Sequence, residues 1–218
     1  MIRALLIREL RLASRNAAGT GLTLAFMALF VVLCGLALGG AAPDLGPGLL
    51  WLAATLSALL GLDRLYQPDQ ASGALAQMHI AGASGSTIAL SKALAFALTA
   101  LLPLILIVPL LAPLMGLGAS ATTGVVVSLI VGLPALTAYA SFTAALLAGE
   151  RGGGVLGVLL TAPLLIPVLV FGIEAAQAWP VAGFSAVEIR ILAGLSLIGV
   201  AVGGAGTVAA IAANRGPR

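Results

Sequence analysis

Few side chains in this sequence could perform chemistry, and His79 comes first because it is the only histidine. With Met78 beside it, His79 could ligate haem iron or another metal. A metal site needs further ligands, and no second histidine exists to complete a set. A histidine that packs at an interface is therefore the favoured interpretation, with the ligand as the alternative.

The sequence lacks the loop with which P-loop ATPases bind nucleotide phosphates. That loop, Gly-x-x-x-x-Gly-Lys-Ser/Thr, requires a lysine, and the only lysine here, Lys92, lies in the segment Leu90-Ser91-Lys92. We therefore expect no ATP hydrolysis by this chain. The apolar stretches also contain no Ser–His pair, paired carboxylates or metal-ligand set, so an intramembrane enzyme is disfavoured and no catalytic, cofactor or metal residue is predicted.

Proton relays and voltage sensors place ionisable groups within membrane spans. This sequence places none at the middle of an apolar stretch, and Glu174, at the end of the fifth stretch, comes nearest. Glu174 is interpreted as an interfacial carboxylate, with a relay as the alternative.

The elements that must carry these residues are those of a membrane protein. Hydrophobic residues make up 61% of the 218 residues and charged residues 8%, whereas soluble domains carry about 25% charged residues. The net charge of +3 comes largely from arginines beside the first apolar stretch, where they suit a membrane surface better than nucleic acid. We expect a lipid bilayer, and no nucleic acid, as a partner.

Six apolar stretches are long enough to cross a bilayer, since a spanning helix needs about 20 mostly apolar residues. The predicted spans are residues 20–40, 48–64, 93–115, 122–147, 154–174 and 191–212. The chain is thus predicted to be an all-α membrane protein with a single permease domain over residues 1–218. A longer outer loop is expected from Gln177 to Glu188, around Trp179 and Pro180.

The basic residues predict how the helices are threaded. With six spans, nine of the ten lysines and arginines fall in gaps on one side, and only Arg190 falls on the other. Cytoplasmic loops collect lysine and arginine, so both termini are predicted to be cytoplasmic.

The first 18 residues are not a span but an amphipathic segment. At about 100° per residue, Arg8, Arg11 and Arg15 form one stripe, and apolar residues cover much of the opposite side. This pattern is typical of an interfacial helix that lies flat on a membrane surface. Glu9 points into the apolar side, where it could snorkel or pair with a nearby arginine. Contact with another subunit is the alternative.

Residues 63–92 are too long for a turn and too polar for a span. Pro68 and Asp69 are expected to start a short helix that runs to about Ile80, and Ser84 or Ser86 to cap the next helix. A short helix held between two spans at the cytoplasmic face suits the docking of a partner.

Prolines in spans three to five predict kinks, which either only bend the helices or shape a cavity or gate.

Several groups of residues follow one another along nearly the whole chain in the order found in one family. They are Arg8-Glu9-Leu10-Arg11 with Arg15; Pro47 to Ala53 followed by Leu62 to Tyr66; Asp69, Gly73 and Leu75; Leu90-Ser91-Lys92; and Arg151-Gly152-Gly153 followed by Pro163 to Pro167. This ordered set resembles the haem exporter protein B (CcmB) family, the permease-like subunit of bacterial cytochrome c maturation. The chain departs from the family pattern at Ala76, usually a glutamate, and at Gly82 or Ala83, often a proline.

The resemblance implies an ABC-type permease subunit in the bacterial inner membrane that works with a separate ATP-binding subunit. It also implies further membrane subunits that handle haem, and we expect two copies of this chain in the complex. ATP hydrolysis on the partner would drive either haem export or release of the haem-loaded chaperone. The absence of a mid-membrane haem ligand favours the second, in which this chain transmits force rather than carrying haem. No cofactor bound by this chain is predicted, and haem is a possible cargo of the complex.

The alternative function is an ABC-type permease for another substrate, such as a drug or a lipid. In either case the ATP-binding subunit is expected to dock on charged and turn residues between the spans. The predicted docking residues are Asp63, Arg64, Asp69, Gly73, Leu75, Lys92, Glu150 and Arg151.

Overall fold

The computed structural model describes residues 1–15, 17–148 and 153–214. Within these ranges there are ten α-helices and no strand, which confirms the predicted all-α fold. The helices are α1 (Ile2–Arg15), α2 (Ala17–Ala37), α3 (Gly46–Leu59), α4 (Asp63–Ala71), α5 (Ala74–Ile80), α6 (Gly85–Phe96), α7 (Leu102–Leu111), α8 (Ala119–Leu146), α9 (Gly153–Ala182) and α10 (Val187–Ala213).

Six helical segments in the described part of the chain are long and apolar enough to cross a membrane, as predicted. They are Ala18–Ala37, Gly46–Ala71, Gly85–Met115, Ala119–Leu146, Leu159–Ser185 and Val187–Ala213. At one end of this bundle α1 packs on α6, and Asn214 donates a hydrogen bond to the Ala145 carbonyl of α8 at 2.8 Å. We call this the α1 end.

The prediction of an outer loop from Gln177 to Glu188 is wrong, because α9 continues through Pro180 to Ala182. Only a 3₁₀ turn, Gly183–Ser185, and Ala186 separate α9 from α10. A proline near the end of a long membrane helix removes only one backbone hydrogen bond, so the helix can continue through it. The Trp179 and Phe184 rings then meet edge to face, with centroids 4.7 Å apart, across the turn.

The short helix predicted from Pro68 to Ile80 is instead two helices, α4 and α5. Gly73 separates them with φ +72°, a left-handed conformation that glycine adopts without a steric penalty. At the start of α6, the Ser84 side chain accepts a hydrogen bond from the Thr87 N–H at 3.2 Å. Ser84 is therefore the cap of α6, one of the two residues predicted for that role.

The core is organised around Trp51 of α3, whose side chain is fully buried. Its Nε1 donates to the Ser128 hydroxyl of α8 at 2.8 Å. The ring packs on Gly132 of α8 and Gly172 of α9, where an added Cβ would lie 2.7 and 2.4 Å from ring atoms. Small residues allow membrane helices to approach closely, and here they also make room for an indole.

The junction of α6 and α7 is a π-helical turn, Ala97–Leu101, followed by Pro103. Pro103 has no N–H to offer the carbonyl of Thr99, four residues earlier. The Thr20 hydroxyl of α2 donates to that carbonyl at 3.3 Å instead. π-Helical turns and prolines are common causes of helix bending, so this segment marks the place where the third span departs from a regular helix.

Candidate functional site

Four charged side chains from three helices meet at the α1 end of the bundle. They form what we call the charge cluster: Arg8 and Glu9 of α1, Asp69 of α4 and Lys92 of α6. Arg8 donates to both carboxylate oxygens of Asp69, with Nη2–Oδ1 at 2.5 Å and Nη1–Oδ2 at 3.2 Å. Arg8 Nη1 also donates to Glu9 Oε1 at 2.6 Å. Two-pronged contacts of this kind between arginine and carboxylate are among the strongest side-chain interactions.

Lys92 occupies the most buried position in the cluster, with 3% of its side chain exposed. Its Nζ donates to Asp69 Oδ2, to Glu9 Oε2 at 3.2 Å and to the backbone carbonyl of Leu65 at 2.7 Å. An ammonium group has three protons, so each has an acceptor. Nζ also lies 5.3 Å from the centroid of the Tyr66 ring, within the range of a cation–π contact.

The cluster contains two positive and two negative charges, and each carboxylate contacts both cations. Burial of a single charge costs several kcal/mol, and removing one partner of a buried pair costs about 3–5 kcal/mol. The charges are thus tolerated only together. The hydrogen bond from Arg8 to Asp69 raises the pKa of the Arg8 guanidinium above its ordinary value, so Arg8 stays charged.

Helical spacing explains how α1 contributes to the cluster. Leu5, Glu9 and Ala13 are four residues apart, which places them on one face, and all three are partly buried. This face packs on α6. The expected pairing of Glu9 with a nearby arginine is confirmed by its contact with Arg8, whereas its second partner, Lys92, was not predicted. No local signal indicated this contact, since Glu9 and Lys92 are 83 residues apart in the chain.

The arginines predicted to form one basic stripe on α1 divide into two groups. Arg8 turns toward Asp69 and is about one-third exposed, at 35%. Arg3, Arg11 and Arg15 are exposed. The exposed side of α1 therefore carries three arginines together with the apolar side chains of Ile2, Ile7 and Leu12, and the inner face contributes to the charge cluster.

The described residues among those predicted for docking do not share one surface. Asp63 and Arg64 are exposed at the start of α4. Asp69, Leu75 and Lys92 are buried. In this arrangement Asp69 and Lys92 are bonded within the protein and do not present a charge to a partner, contrary to the expectation.

Three further residues were predicted for docking. Gly73 is partly buried at the α4–α5 turn, and Glu150 and Arg151 lie outside the described residues. The helix α5 lies in the segment predicted for docking, but its exposed residues were not among those named: Ile80 is 87% exposed and Gln77 is also exposed. An exposed isoleucine in a short polar segment is the signal that could have found it.

His79 lies on α5 between the buried and exposed faces. Its Nδ1 is 2.7 Å from the carbonyl oxygen of Leu75, one turn earlier. In the described part of the chain no group of three His, Cys, Asp or Glu side chains converges as metal ligands would. Its partial burial and its contact within its own helix fit the favoured interpretation of His79 as a packing residue.

A groove of about 280 Å³ opens beside α5 at the α1 end. Its lining comes from α4 and α5 on one side and from the ends of α8 and α10 on the other. The residues that line it include Gln70, His79, Ile80, Ala148 and Asn214. Ile80 both lines this groove and lies on the exposed face of α5, so the two surfaces adjoin at Ile80.

Comparisons with known proteins assign this architecture to a family. The profile of the CcmB protein family matches residues 1–214. Heme exporter protein B of Rhodobacter capsulatus is 39% identical over 216 residues, covering 98% of this chain and 99% of that protein. The protein of the same name from Paracoccus denitrificans is 38% identical over 219 residues, covering 98% and 99%. That from Escherichia coli K12 is 34% identical over 198 residues, covering 87% and 90%. The chain, a helical bundle with six segments able to cross a membrane, belongs to the CcmB protein family.

Proposed function

We propose that this chain is the membrane permease subunit of an ABC-type complex that exports haem for c-type cytochrome biogenesis. The observation that carries the proposal is the family match over residues 1–214, together with relatives named heme exporter protein B over nearly the full length. Six apolar spans and the lack of a P-loop lysine motif support a permease that takes its energy from another subunit.

The α1 end is proposed to face the cytoplasm of the bacterial cell, with the bundle in the inner membrane. Arg3, Arg11 and Arg15 are exposed at this end, and exposed arginines favour the cytoplasmic side of a membrane. ATP is available there, so an ATP-binding subunit would meet the bundle at this end.

The ATP-binding subunit is proposed to dock on the exposed face of α5 and the groove beside it. Leu75 and Met78 are buried and hold α5 against the bundle, which leaves Gln77 and Ile80 facing outward. An exposed apolar side chain with polar neighbours resembles the centre and rim of a protein interface. Asp63 and Arg64, exposed at the start of α4, would contribute charge at the edge of this interface.

Haem is proposed as the cargo of the complex, with ATP bound by the partner. Further membrane subunits of the cytochrome c maturation system and a second copy of this chain complete the proposed assembly. ATP hydrolysis would drive either haem export or release of a haem-loaded chaperone. A permease for a drug or a lipid is the second candidate.

Deletion of the gene followed by haem staining tests the cargo. Loss of c-type cytochromes, restored by the wild-type chain, is expected. Intact c-type cytochromes in the deletion strain would contradict the proposal and favour another substrate.

Ile80→Asp tests the docking surface, with Val181→Asp as the matched control at the opposite end, where Val181 is 94% exposed. A charge in place of a central apolar contact is expected to reduce co-purification of the ATP-binding subunit by about tenfold or more. Val181→Asp should leave it unchanged. Equal co-purification with both variants would place the docking surface elsewhere.

A further inference from the structure

We propose that the charge cluster is a mechanical clasp that makes α1, α4 and α6 move as one unit when the partner acts on α5. Glu9 and Lys92 are its positioning residues. This inference rests on the proposed function, because it assumes that an ATP-binding subunit docks at α5. The clasp acts in a different step, the transfer of movement from the docking site into the membrane.

The cluster joins the two arms of the segment that carries α5. Asp69 lies near the end of α4, and Lys92 lies in α6, on the other side of α5 along the chain. Their ion pair is buried, so it joins the two helices on either side of α5. Gly73 and Gly82, at the two ends of α5, have φ +72° and +85°. A movement imposed on α5 is therefore passed to both α4 and α6, because these two helices can separate only if the buried Asp69–Lys92 ion pair breaks.

The same charges attach α1 to both arms. Arg8 bonds to Asp69 of α4, and Glu9 bonds to Lys92 of α6. Apolar contacts between helices tolerate sliding, because one methyl group replaces another. Ion pairs in a buried site do not, since a shift leaves a charge without a partner. The clasp thus fixes the register of α1 on the bundle as well as its position.

The movement has a path into the membrane. Lys92 precedes the π-helical turn Ala97–Leu101, beyond which α7 continues the third span. The Thr20 hydroxyl of α2 donates a hydrogen bond to the Thr99 carbonyl of that turn, at 3.3 Å. A displacement of α6 would thus enter the span at a segment whose backbone hydrogen bonding already departs from that of an α-helix.

The alternative is that the cluster only stabilises the fold. Glu9→Gln distinguishes the two possibilities, because it keeps the size of the side chain and one acceptor oxygen while removing the charge and the second acceptor. If the clasp transmits movement, the variant complex should assemble with its ATP-binding subunit and hydrolyse ATP normally. The yield of c-type cytochromes per ATP hydrolysed should fall by about tenfold, the size of a typical coupling effect.

Two further variants complete the experiment. Glu9→Asp retains the charge and should recover much of the lost yield, whereas Arg11→Gln removes an exposed charge on the same helix and should change nothing. The inference is overturned if Glu9→Gln supports normal cytochrome yield, or if yield, assembly and ATP hydrolysis fall together.

If Glu9→Gln does not accumulate in the membrane, Arg8→Lys takes its place. It keeps the positive charge and loses the two-pronged contact with Asp69, and the same fall in yield per ATP is expected. A normal ratio for Arg8→Lys would overturn the inference. Failure of the wild-type chain to co-purify with an ATP-binding subunit would instead contradict the proposed function.

Discussion

Lys92 of α6 and Asp69 of α4, 23 residues apart in sequence, form an ion pair buried at the α1 end of the bundle. Each also contacts a residue of α1, Lys92 through Glu9 and Asp69 through Arg8. The two residues would ordinarily be assigned to a solvated face, since lysine and aspartate are rarely buried unless paired. Their burial makes the polar end of this bundle a packed part of the protein.

Lys92→Met is expected to destabilise the protein by about 3–5 kcal/mol, because Asp69 and Glu9 lose a cation in a buried site. A double variant that combines Lys92→Met and Asp69→Asn removes one charge of each sign and leaves Arg8 paired with Glu9. The double variant should therefore be less destabilised than the sum of the single variants. Thermal unfolding of the purified chain in detergent measures these differences. Additive effects would show that the two residues do not interact.

Gly172→Ala is expected to destabilise the bundle, because its Cβ would lie 2.4 Å from the Trp51 ring. The indole is fully buried and bonded to Ser128, so it cannot easily move aside, and overpacking of this kind costs about 1–3 kcal/mol. Gly194→Ala in α10 is the control, since nothing lies within 4 Å of its added Cβ. It should be neutral or stabilising, as alanine favours helix over glycine by about 1 kcal/mol. Similar melting temperatures for the two variants would contradict the packing described for Trp51.

Tyr66→Phe tests the hydrogen bond between the hydroxyls of Tyr66 and Ser141, which are 2.9 Å apart in a buried site. The variant leaves the Ser141 hydroxyl without this partner and should lose about 1–2 kcal/mol of unfolding free energy. Ser141→Ala should have a comparable effect. The double variant should be no less stable than either single variant, because both polar groups are then gone. A double variant with the summed loss would argue that each hydroxyl has another role. Tyr66→Phe keeps the aromatic ring, so the contact of this ring with Lys92 is unchanged in each variant.

The long apolar helices could be predicted because hydrophobicity is a local property of the chain. A run of about 20 apolar residues has few alternatives to a spanning helix, and the structure contains six such segments in its described residues. The start of α6 at a serine cap was also predictable, since capping depends on residues three apart. The prediction of an outer loop beginning at Gln177 was wrong, because a proline restricts the local backbone but does not by itself end a packed membrane helix.

The charge cluster could not be predicted, because its members are distant in sequence. Glu9 and Lys92 are 83 residues apart, and Arg8 and Asp69 are 61 apart. Nothing local distinguishes the buried Lys92 from a lysine at a membrane surface. Likewise, Asp63 and Asp69 lie on the same short helix, yet one is exposed and the other buried.

The amino-acid sequence by itself determined the class of the protein, the number of long apolar helices and the amphipathic character of α1, since each depends on the order of nearby residues. Only the tertiary structure decided which charges meet. Ion pairing between distant residues depends on how helices pack, and burial turns that pairing from a weak surface interaction into a strong requirement.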